Sequence, residues 1–408
     1  MGSIAERAWA EVELSAIAHN LKFAQVRVGS SVGIMAIVKS NAYGHGAVEV
    51  AREVERQGGR ALGVASPAEG VELRQAGIRI PILVTGSSLE DEIEAAVDCD
   101  LSLSLSPPEL LTPILSAARK LKRTARVHLL IDTGMSRDGV KVEDALELAE
   151  HIAETPELVL DGTYTHFATA ALPDKTFCYE QLDRFNRVLN AMLGRDIHPG
   201  NVHCANSSAV FTLPASHFDM VRQGISLYGI APSAHIRAEA DLMPAMTVKT
   251  RVMSVQQIGP GESVGYFREY VATRPTRLAT LAMGYADGLR LAMSHKGQVL
   301  IHGRRASYTG RVMMDTAVVD VTSIPGVRAG DEVTIIGKSG RNEIKVEEVA
   351  ALWESTPYEV FSTLGRRVRL IHTRNGKPVI PVPVSESRTV QQAAEPTRIV
   401  RPAETFTP

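Results

Sequence analysis

Residues 34–46 read IMAIVKSNAYGHG, an apolar run that ends in a lysine and continues into a glycine-containing turn. Five consecutive apolar residues are typical of a strand that is buried on both faces, as in a parallel sheet. A lysine directly after such a strand is unusual, because a buried ammonium group is costly unless it is paired, neutral or covalently used. For Lys39 this pattern leaves two interpretations, a side chain that extends into solvent and a covalent catalytic lysine.

Similar short apolar runs recur along the chain and alternate with amphipathic segments. Candidate strands lie at 33–38, 61–65, 81–85, 101–105, 126–131, 158–165, 201–205 and 219–221. The intervening segments include residues 47–57, 68–76 and 142–153, with apolar residues at helical spacing. Alternation of this kind gives parallel strands joined by crossover helices. Eight such units predict an α/β fold with an N-terminal (β/α)8 TIM-type barrel over residues 1–243. A doubly wound open sheet is the alternative.

The pattern changes after residue 243. Segments rich in β-forming residues lie at 248–258, 276–282, 298–302, 318–321 and 332–336, with no long helical pattern until 346–352. We expect a mostly-β C-terminal domain over residues 244–385, which the first strand of the chain could join. Residues 386–408 are rich in Pro, Thr, Glu and Gln and predict a disordered tail.

Composition narrows the class of protein. The 408 residues are 44% hydrophobic and 22% charged with a formal net charge of -2, which gives no reason to expect binding to nucleic acid or to an anionic membrane. Three cysteines without a CxxC spacing suit a reducing compartment. The N-terminus carries charges where a signal peptide is apolar, and no long apolar run predicts a membrane span. We therefore expect a cytoplasmic protein.

Several segments, taken in order, closely resemble the alanine racemases. They are AWAEVELSAIAHNLK (8–22), VKSNAYGHG (38–46), HLLIDTGMSRDGV (128–140), THFATA (165–170), HCANSSA (203–209), VRQGISLYGIAPS (221–233), GYADG (284–288) and GRVMMD (310–315). The resemblance implies a fold-type III enzyme that uses pyridoxal 5'-phosphate (PLP) and binds no metal. It also implies a head-to-tail homodimer with shared active sites, and a role in supplying D-alanine for peptidoglycan.

The resemblance places the cofactor at the C-terminal ends of the barrel strands. Lys39 would bind PLP covalently, and Arg222 would face the pyridine nitrogen. Because a guanidinium remains protonated, Arg222 would keep that nitrogen unprotonated. The residues implied to bind the phosphate are Tyr43, Ser207, Gly224 and Ile225. For Ser207, which follows the seventh predicted strand, a helix N-cap role is the structural alternative, and the two roles are compatible.

Racemisation requires that a proton leave one face of the substrate carbon and arrive on the other, so two bases are expected. The resemblance assigns Lys39 to one face and Tyr266, from the partner subunit, to the other. A phenol is a weak base in water. The resemblance places His166 near Arg222 and this tyrosine, where it would assist. Arg137 and the backbone N–H of Met314 are implied to hold the substrate carboxylate, and Tyr285 to guard the substrate entrance.

Three positions depart from the family. Leu130 stands where many members carry a carbamylated lysine that orients the arginine, so Arg137 needs another anion, either a bound chloride or a nearby carboxylate. Arg366 stands where a tyrosine is expected to contact the phosphate and line the substrate pocket. Ala171 replaces an aspartate that commonly completes a THFATAD pattern. Arg366 in particular leaves the preferred substrate open.

Four other functions remain as alternatives. A serine-preferring or broad-specificity racemase would share the same site, and a PLP decarboxylase would share the scaffold. The contexts of Lys39 and Tyr266 favour racemisation over decarboxylation. A PLP carrier or regulatory protein would generally lack the β domain. A metal-dependent barrel hydrolase would use His128, His166 and His203, but it leaves the lysine motif unexplained.

Overall fold

The computed structural model describes residues 6–106, 108–237 and 241–380. They form two compact units. The barrel unit comprises residues 16–42 and 47–244, and the β unit comprises residues 43–46, residues 245–380 and the N-terminal segment through Ser15. Among the described residues, no helix is long and apolar enough to cross a membrane. The predicted tail lies outside them.

Eight parallel strands form the wall of the barrel unit, as predicted. The strand that precedes them, β1 (Ala8–Glu13), belongs to the β unit. The barrel-unit strands are β2 (Gly33–Ile37), β3 (Ala61–Val64), β4 (Ile82–Val84), β5 (Ser102–Leu105), β6 (Ala125–Asp132), β7 (Val140–Lys141), β8 (Leu158–Tyr164), β9 (Asn201–His203) and β10 (Met220–Gln223). Their order is β10-β2-β3-β4-β5-β6-β8-β9, and the short β7 pairs with β6 outside this path.

Backbone hydrogen bonds bring the last strand of this path back to the first. Asp219 N donates to Val202 O at 3.1 Å, and Arg222 N donates to Ala205 O at 2.9 Å. The wall is therefore a nearly closed ring, which confirms the predicted barrel and rules out the open doubly wound sheet. In a barrel of parallel strands, the C-terminal strand ends and the loops that follow them build the active site.

Helices connect the barrel strands. They are α1 (Leu14–Val28), α2 (Ala47–Arg56), α3 (Pro67–Gln75), α4 (Glu90–Asp98), α5 (Leu111–Leu121), α6 (Ala145–Glu154), α7 (Thr176–Leu193), α8 (Ser207–Thr212) and α9 (Ala234–Arg237). The helix expected over 142–153 begins three residues later, at Ala145. The preceding residues Val140–Lys141 pair with β6 instead, and this pairing holds the chain extended there.

The β unit is mostly β-sheet, which confirms the second half of the predicted architecture. Its strands after β1 are β11 (Met246–Ile258), β12 (Ser263–Val264), β13 (Tyr270–Val271), β14 (Thr276–Leu281), β15 (Gln298–Ile301), β16 (Arg304–Ser307), β17 (Ala317–Asp320), β18 (Glu332–Ser339), β19 (Asn342–Ile344), β20 (Arg369–Arg374) and β21 (Lys377–Pro378). Two helices, α10 (Val346–Leu352) and α11 (Pro357–Ser362), complete it.

The N-terminal strand β1 lies inside the sheet of the β unit. It pairs antiparallel with β11 and parallel with β20, so Ala10 faces Val248 on one side and Leu370 on the other. Ala10 and Val12 are fully buried. The first and the last described strands of the chain thus belong to one sheet.

Candidate active site

Lys39 begins a left-handed turn just beyond the C-terminal end of β2. The next four residues, Ser40 to Tyr43, have φ between 52° and 54°, a conformation that L-residues other than Gly, Asn and Asp seldom adopt. Two hydrogen bonds hold the turn, because Ser40 N donates to Glu69 Oε1 at 2.7 Å and Ala47 N donates to Asn41 Oδ1 at 2.8 Å. Such over-determined strain is common where a functional side chain must be aimed.

The amine of Lys39 lies in a positively charged environment. Burial lowers the pKa of Lys39, the Arg137 charge lowers it further, the Glu69 carboxylate opposes the change, and the Arg222 charge adds to it. A lysine with a lowered pKa is more often neutral, and a neutral amine is the nucleophilic form. The environment therefore favours covalent or proton-transfer chemistry at Lys39.

Arg222, on β10, is buried. Its Nη1 donates to His203 Nδ1 at 2.8 Å and to His203 O at 3.1 Å. Its Nη2 donates to Thr165 O at 2.8 Å and Cys204 O at 3.0 Å, and contacts His166 Nδ1 at 3.1 Å. Within the described residues, the Nε–H makes no hydrogen bond and no carboxylate pairs with the guanidinium.

His166 follows β8 and is held neutral. Burial, followed by the charges of Arg222, Arg137 and Lys39, lowers its pKa to about 3. Because the Arg222 guanidinium can only donate, Nδ1 of His166 accepts, and the single proton of the neutral ring lies on Nε2. His166 can therefore offer a hydrogen bond from Nε2 at any pH near neutrality.

The predicted phosphate-binding residues divide between the two units. In the barrel unit, Gly224 N donates to the Ser207 hydroxyl at 2.8 Å, and Ile225 follows directly at the start of a 3-10 turn. The N-cap of α8 is Asn206, whose Oδ1 accepts from the first free N–H groups of the helix, so the suggested cap role of Ser207 is wrong. Tyr43 belongs to the β unit, where its ring centre lies 5.8 Å from that of Tyr358.

Arg137 is exposed in the loop after β6, and its Nε lies 3.5 Å from Asp138 Oδ2. The other oxygen of Asp138 accepts a hydrogen bond from the Ser87 hydroxyl at 3.3 Å. Leu130 is buried in β6 and supplies no charge. The sequence left a bound chloride or a nearby carboxylate as the anion for Arg137, and the structure has the carboxylate of Asp138 there.

The remaining predicted residues lie in the β unit on exposed turns. Tyr266 is 65% exposed and follows Gly265, whose φ of 69° suits a glycine. Tyr285 and Met314 lie on adjoining turns, since Tyr285 N donates to Met313 O at 2.9 Å and Ala286 N donates to Met314 O at 3.0 Å.

Sequence reasoning missed two side chains that hold loops of the candidate site. Gln181 donates to His166 O at 3.0 Å and accepts from Ala168 N at 2.9 Å, which fixes the loop after β8. Arg367 donates to Asp287 at 2.8 Å and to Asp315 at 2.7 Å, which joins the two turns of the β unit. Its neighbour Arg366 is exposed. These partners are far apart in sequence, and no local motif marks them.

The fold, with its matches to known families, defines an isomerase built from a barrel and a β domain. Residues 12–232 match the family described as "Alanine racemase, N-terminal domain", and residues 245–372 match "Alanine racemase, C-terminal domain". The chain belongs to the alanine racemase family.

Individual proteins agree with this assignment. The chain is 41% identical over 369 residues to an alanine racemase of Desulforamulus reducens, covering 90% of this chain and 99% of that protein. It is 39% identical over 360 residues to an alanine racemase of Halothermothrix orenii, covering 88% and 95%. The structure of an alanine racemase from Bacillus anthracis with bound L-Ala-P superposes with a TM-score of 0.86 at 34% identity, covering 93% of this chain and 98% of that one.

Proposed function

We propose that this protein interconverts L- and D-alanine with PLP, using Lys39 on one face of the substrate and Tyr266 of a partner subunit on the other. The observation that carries the proposal is the position of Lys39 just after a barrel strand, where burial and the charges of Arg137 and Arg222 lower its pKa. The names of its relatives support alanine as the substrate.

The residues present fit PLP. A phosphate ester and a substrate carboxylate are anionic, and the guanidinium groups of Arg137 and Arg222 supply the positive charge that such groups require. Ser207 provides a hydroxyl at one strand end, whose oxygen accepts from Gly224 N and whose own proton can be donated to an anionic acceptor. The Arg222 Nε–H, left over from its five other contacts, suits an acceptor nitrogen such as that of an unprotonated pyridine. When bound, PLP supplies the electron sink that acidifies the substrate Cα–H bond.

Lys39 has two tasks in this proposal. It would hold the cofactor covalently, and its neutral Nζ would take or return the Cα proton on one face. Burial and the neighbouring positive charges lower the pKa of this amine, which favours the neutral form that a base requires. The left-handed turn at residues 40–43 fixes the direction in which the lysine leaves the strand.

Tyr266 exchanges the proton on the opposite face through its phenolic oxygen. Charge develops on that oxygen when the proton leaves, and a hydrogen bond from His166 Nε2–H would stabilise it. Because His166 stays neutral, it can stabilise the phenolate without transferring a proton of its own. The exposure of Tyr266 within one chain fits a residue that enters the site of a second chain.

Arg137 and the Met314 backbone N–H would orient the substrate carboxylate. Asp138, next to Arg137, takes the place of the missing carbamylated lysine as the anion that orients the guanidinium. The exposed Arg366 favours the second candidate function, a racemase of serine or of several amino acids, because an arginine changes the size and charge of a pocket wall. In the cell we place the enzyme in the cytoplasm, where it would supply D-alanine for peptidoglycan.

The experiment is reconstitution with PLP, followed by borohydride reduction and peptide mapping, and a chiral assay with L-alanine and L-serine. We expect a visible absorption band, labelling of the peptide that contains Lys39, and D-alanine forming faster than D-serine. A Lys39→Ala variant should lose the band, whereas Lys120→Ala, at an exposed ion pair, should keep it. A faster serine reaction would favour the second candidate, carbon dioxide release would indicate a decarboxylase, and absence of the band would contradict the proposal.

A further inference from the structure

Two buried histidines connect the Arg222 guanidinium to a distant carboxylate. His203 Nδ1 accepts from Arg222 Nη1 at 2.8 Å, and His203 Nε2 lies 3.0 Å from His128 Nδ1. His128 Nε2 lies 3.8 Å from Asp161 Oδ2. The four side chains come from strands β10, β9, β6 and β8 of the barrel unit, and both histidines are buried. The proposed chemistry uses neither histidine.

The contact with Arg222 determines which ring nitrogen carries the proton in His203, and then in His128. Arg222 has no acceptor atom, so His203 Nδ1 carries a lone pair and the ring proton lies on Nε2. That proton points to His128, so His128 Nδ1 must also carry a lone pair, and the proton of His128 lies on Nε2 towards Asp161. Both rings are therefore neutral and share one tautomer.

Asp161 is built to remain ionised at the end of the series. Burial raises its pKa, but contacts with His128, Arg126 and the Ser102 hydroxyl outweigh that effect, so its pKa is lowered overall. Ser102 Oγ donates to Oδ2 at 3.2 Å, and Arg126 Nη1 donates to Oδ1 at 3.4 Å. A negative charge thus lies two imidazole rings away from the buried guanidinium.

We infer that Asp161, His128 and His203 are positioning residues that orient Arg222 and compensate its buried charge. The assignment of a cofactor-facing task to Arg222 rests on the proposed function. A carboxylate in direct contact would neutralise the guanidinium, and a buried cation without compensation would be costly. The His203 ring holds Nη1 and His128 holds the His203 ring, while the positive charge of the guanidinium stays directed at the site.

Nitrogen-15 NMR of histidine-labelled holoprotein tests the proton order directly. We expect His203 and His128, assigned by single substitution, to be neutral with the proton on Nε2 at pH 7. A proton on Nδ1 of either ring, or a charged ring, would contradict this arrangement of protons. This result does not depend on turnover, so it is distinct from failure of the proposed function, which would appear as a missing PLP band in the wild type.

Two substitutions of His128 test the consequence. His128→Asn retains an acceptor near the Nδ1 position, whereas His128→Leu removes it and leaves the His203 proton without a partner. For His128→Leu we expect about tenfold weaker PLP binding and a shifted visible band, comparable with the loss of outer-shell partners at other sites. PLP binding by His128→Asn should stay within about twofold of wild type.

Asp161→Asn should resemble His128→Leu in PLP binding and in its visible band. Its control is Glu94→Gln, the same carboxylate-to-amide change at an exposed ion pair. If His128→Leu and Asp161→Asn both bind PLP as tightly as the wild type and show an unshifted visible band, the positioning role is refuted.

Discussion

Three cationic side chains, Lys39, Arg137 and Arg222, act on one another at the C-terminal end of the barrel unit. Burial and the two arginine charges lower the pKa of Lys39, and burial and the charges of all three side chains lower that of His166. Glu69 partly offsets this charge, because its carboxylate accepts from the backbone of Ser40 and interacts with the Lys39 charge. A site with this excess of positive charge is suited to a phosphorylated cofactor and a carboxylate substrate.

Arg137 should contribute to substrate binding more than to turnover. Replacing Arg137 with leucine removes a charge-assisted contact to the carboxylate, so we expect KM for alanine to rise about 10- to 100-fold, with a smaller change in kcat. Steady-state kinetics of Arg137→Leu and of Arg187→Leu, an exposed arginine paired with Asp183, provide the comparison. An unchanged KM in Arg137→Leu would contradict the assignment.

His166 makes the fold sensitive to acid. Its pKa is about 3 in the folded chain, against 6.5 for an ordinary histidine, so the unfolded chain binds more protons between these values. The free energy of unfolding therefore decreases as the pH falls through this window. Between pH 6.5 and 5 we expect a loss of about 1–2 kcal/mol from this group. Urea unfolding of apoprotein should show a smaller loss in His166→Gln, and an equal loss in both proteins would contradict the argument.

At the scale of elements, the left-handed turn after β2 is the least regular part of the site. Ser40 has an exposed side chain and a φ of 54°, so a substitution there tests the backbone alone. Ser40→Val places a β-branched residue in a strained conformation and should destabilise by about 1–2 kcal/mol. Ser40→Gly should be close to neutral, because relief of strain offsets the entropy gained by the unfolded chain. Chemical denaturation measures the free energy of unfolding of each variant. If Ser40→Val is as stable as the wild type, the turn is not a rigid left-handed one.

The elements that sequence reasoning predicted are those with a strong pattern of their own. All eight barrel strands and the helix Val346–Leu352 were predicted within a few residues, because buried apolar runs and amphipathic spacing are local properties. The strands Arg304–Ser307 and Asn342–Ile344 were not, since they are short and polar and exist through pairing with β15 and β18.

The same distinction applies to the site. Lys39 could be singled out because it ends an apolar run, and the resemblance to a known family supplied the other candidates. The carboxylate of Glu69, the amide of Gln181 and the Asp161 relay could not be found in this way. Each acts on a residue from another strand or loop, and single-sequence spacing does not encode such contacts.

At the scale of the whole chain, the N-terminal strand should be essential to the β unit. Val12 is fully buried in β1, between β11 and β20. Val12→Asp puts a carboxylate in that core and should cost at least about 3 kcal/mol. Val26→Asp, the same change at a valine that is 75% exposed, should cost less than about 0.5 kcal/mol. Urea unfolding compares the two, and equal stabilities would contradict a structural role of β1.

We propose that Lys39 and Tyr266 act on one substrate from two different chains. The most direct measurement mixes inactive Lys39→Ala chains with inactive Tyr266→Phe chains under conditions of confirmed subunit exchange, and follows racemisation of alanine. Each mixed dimer then contains one site with both residues intact, so activity should recover to about one quarter of the wild-type value, because half of the dimers are mixed and each has one working site. No recovery above either parent, with exchange confirmed, would contradict a site shared between subunits.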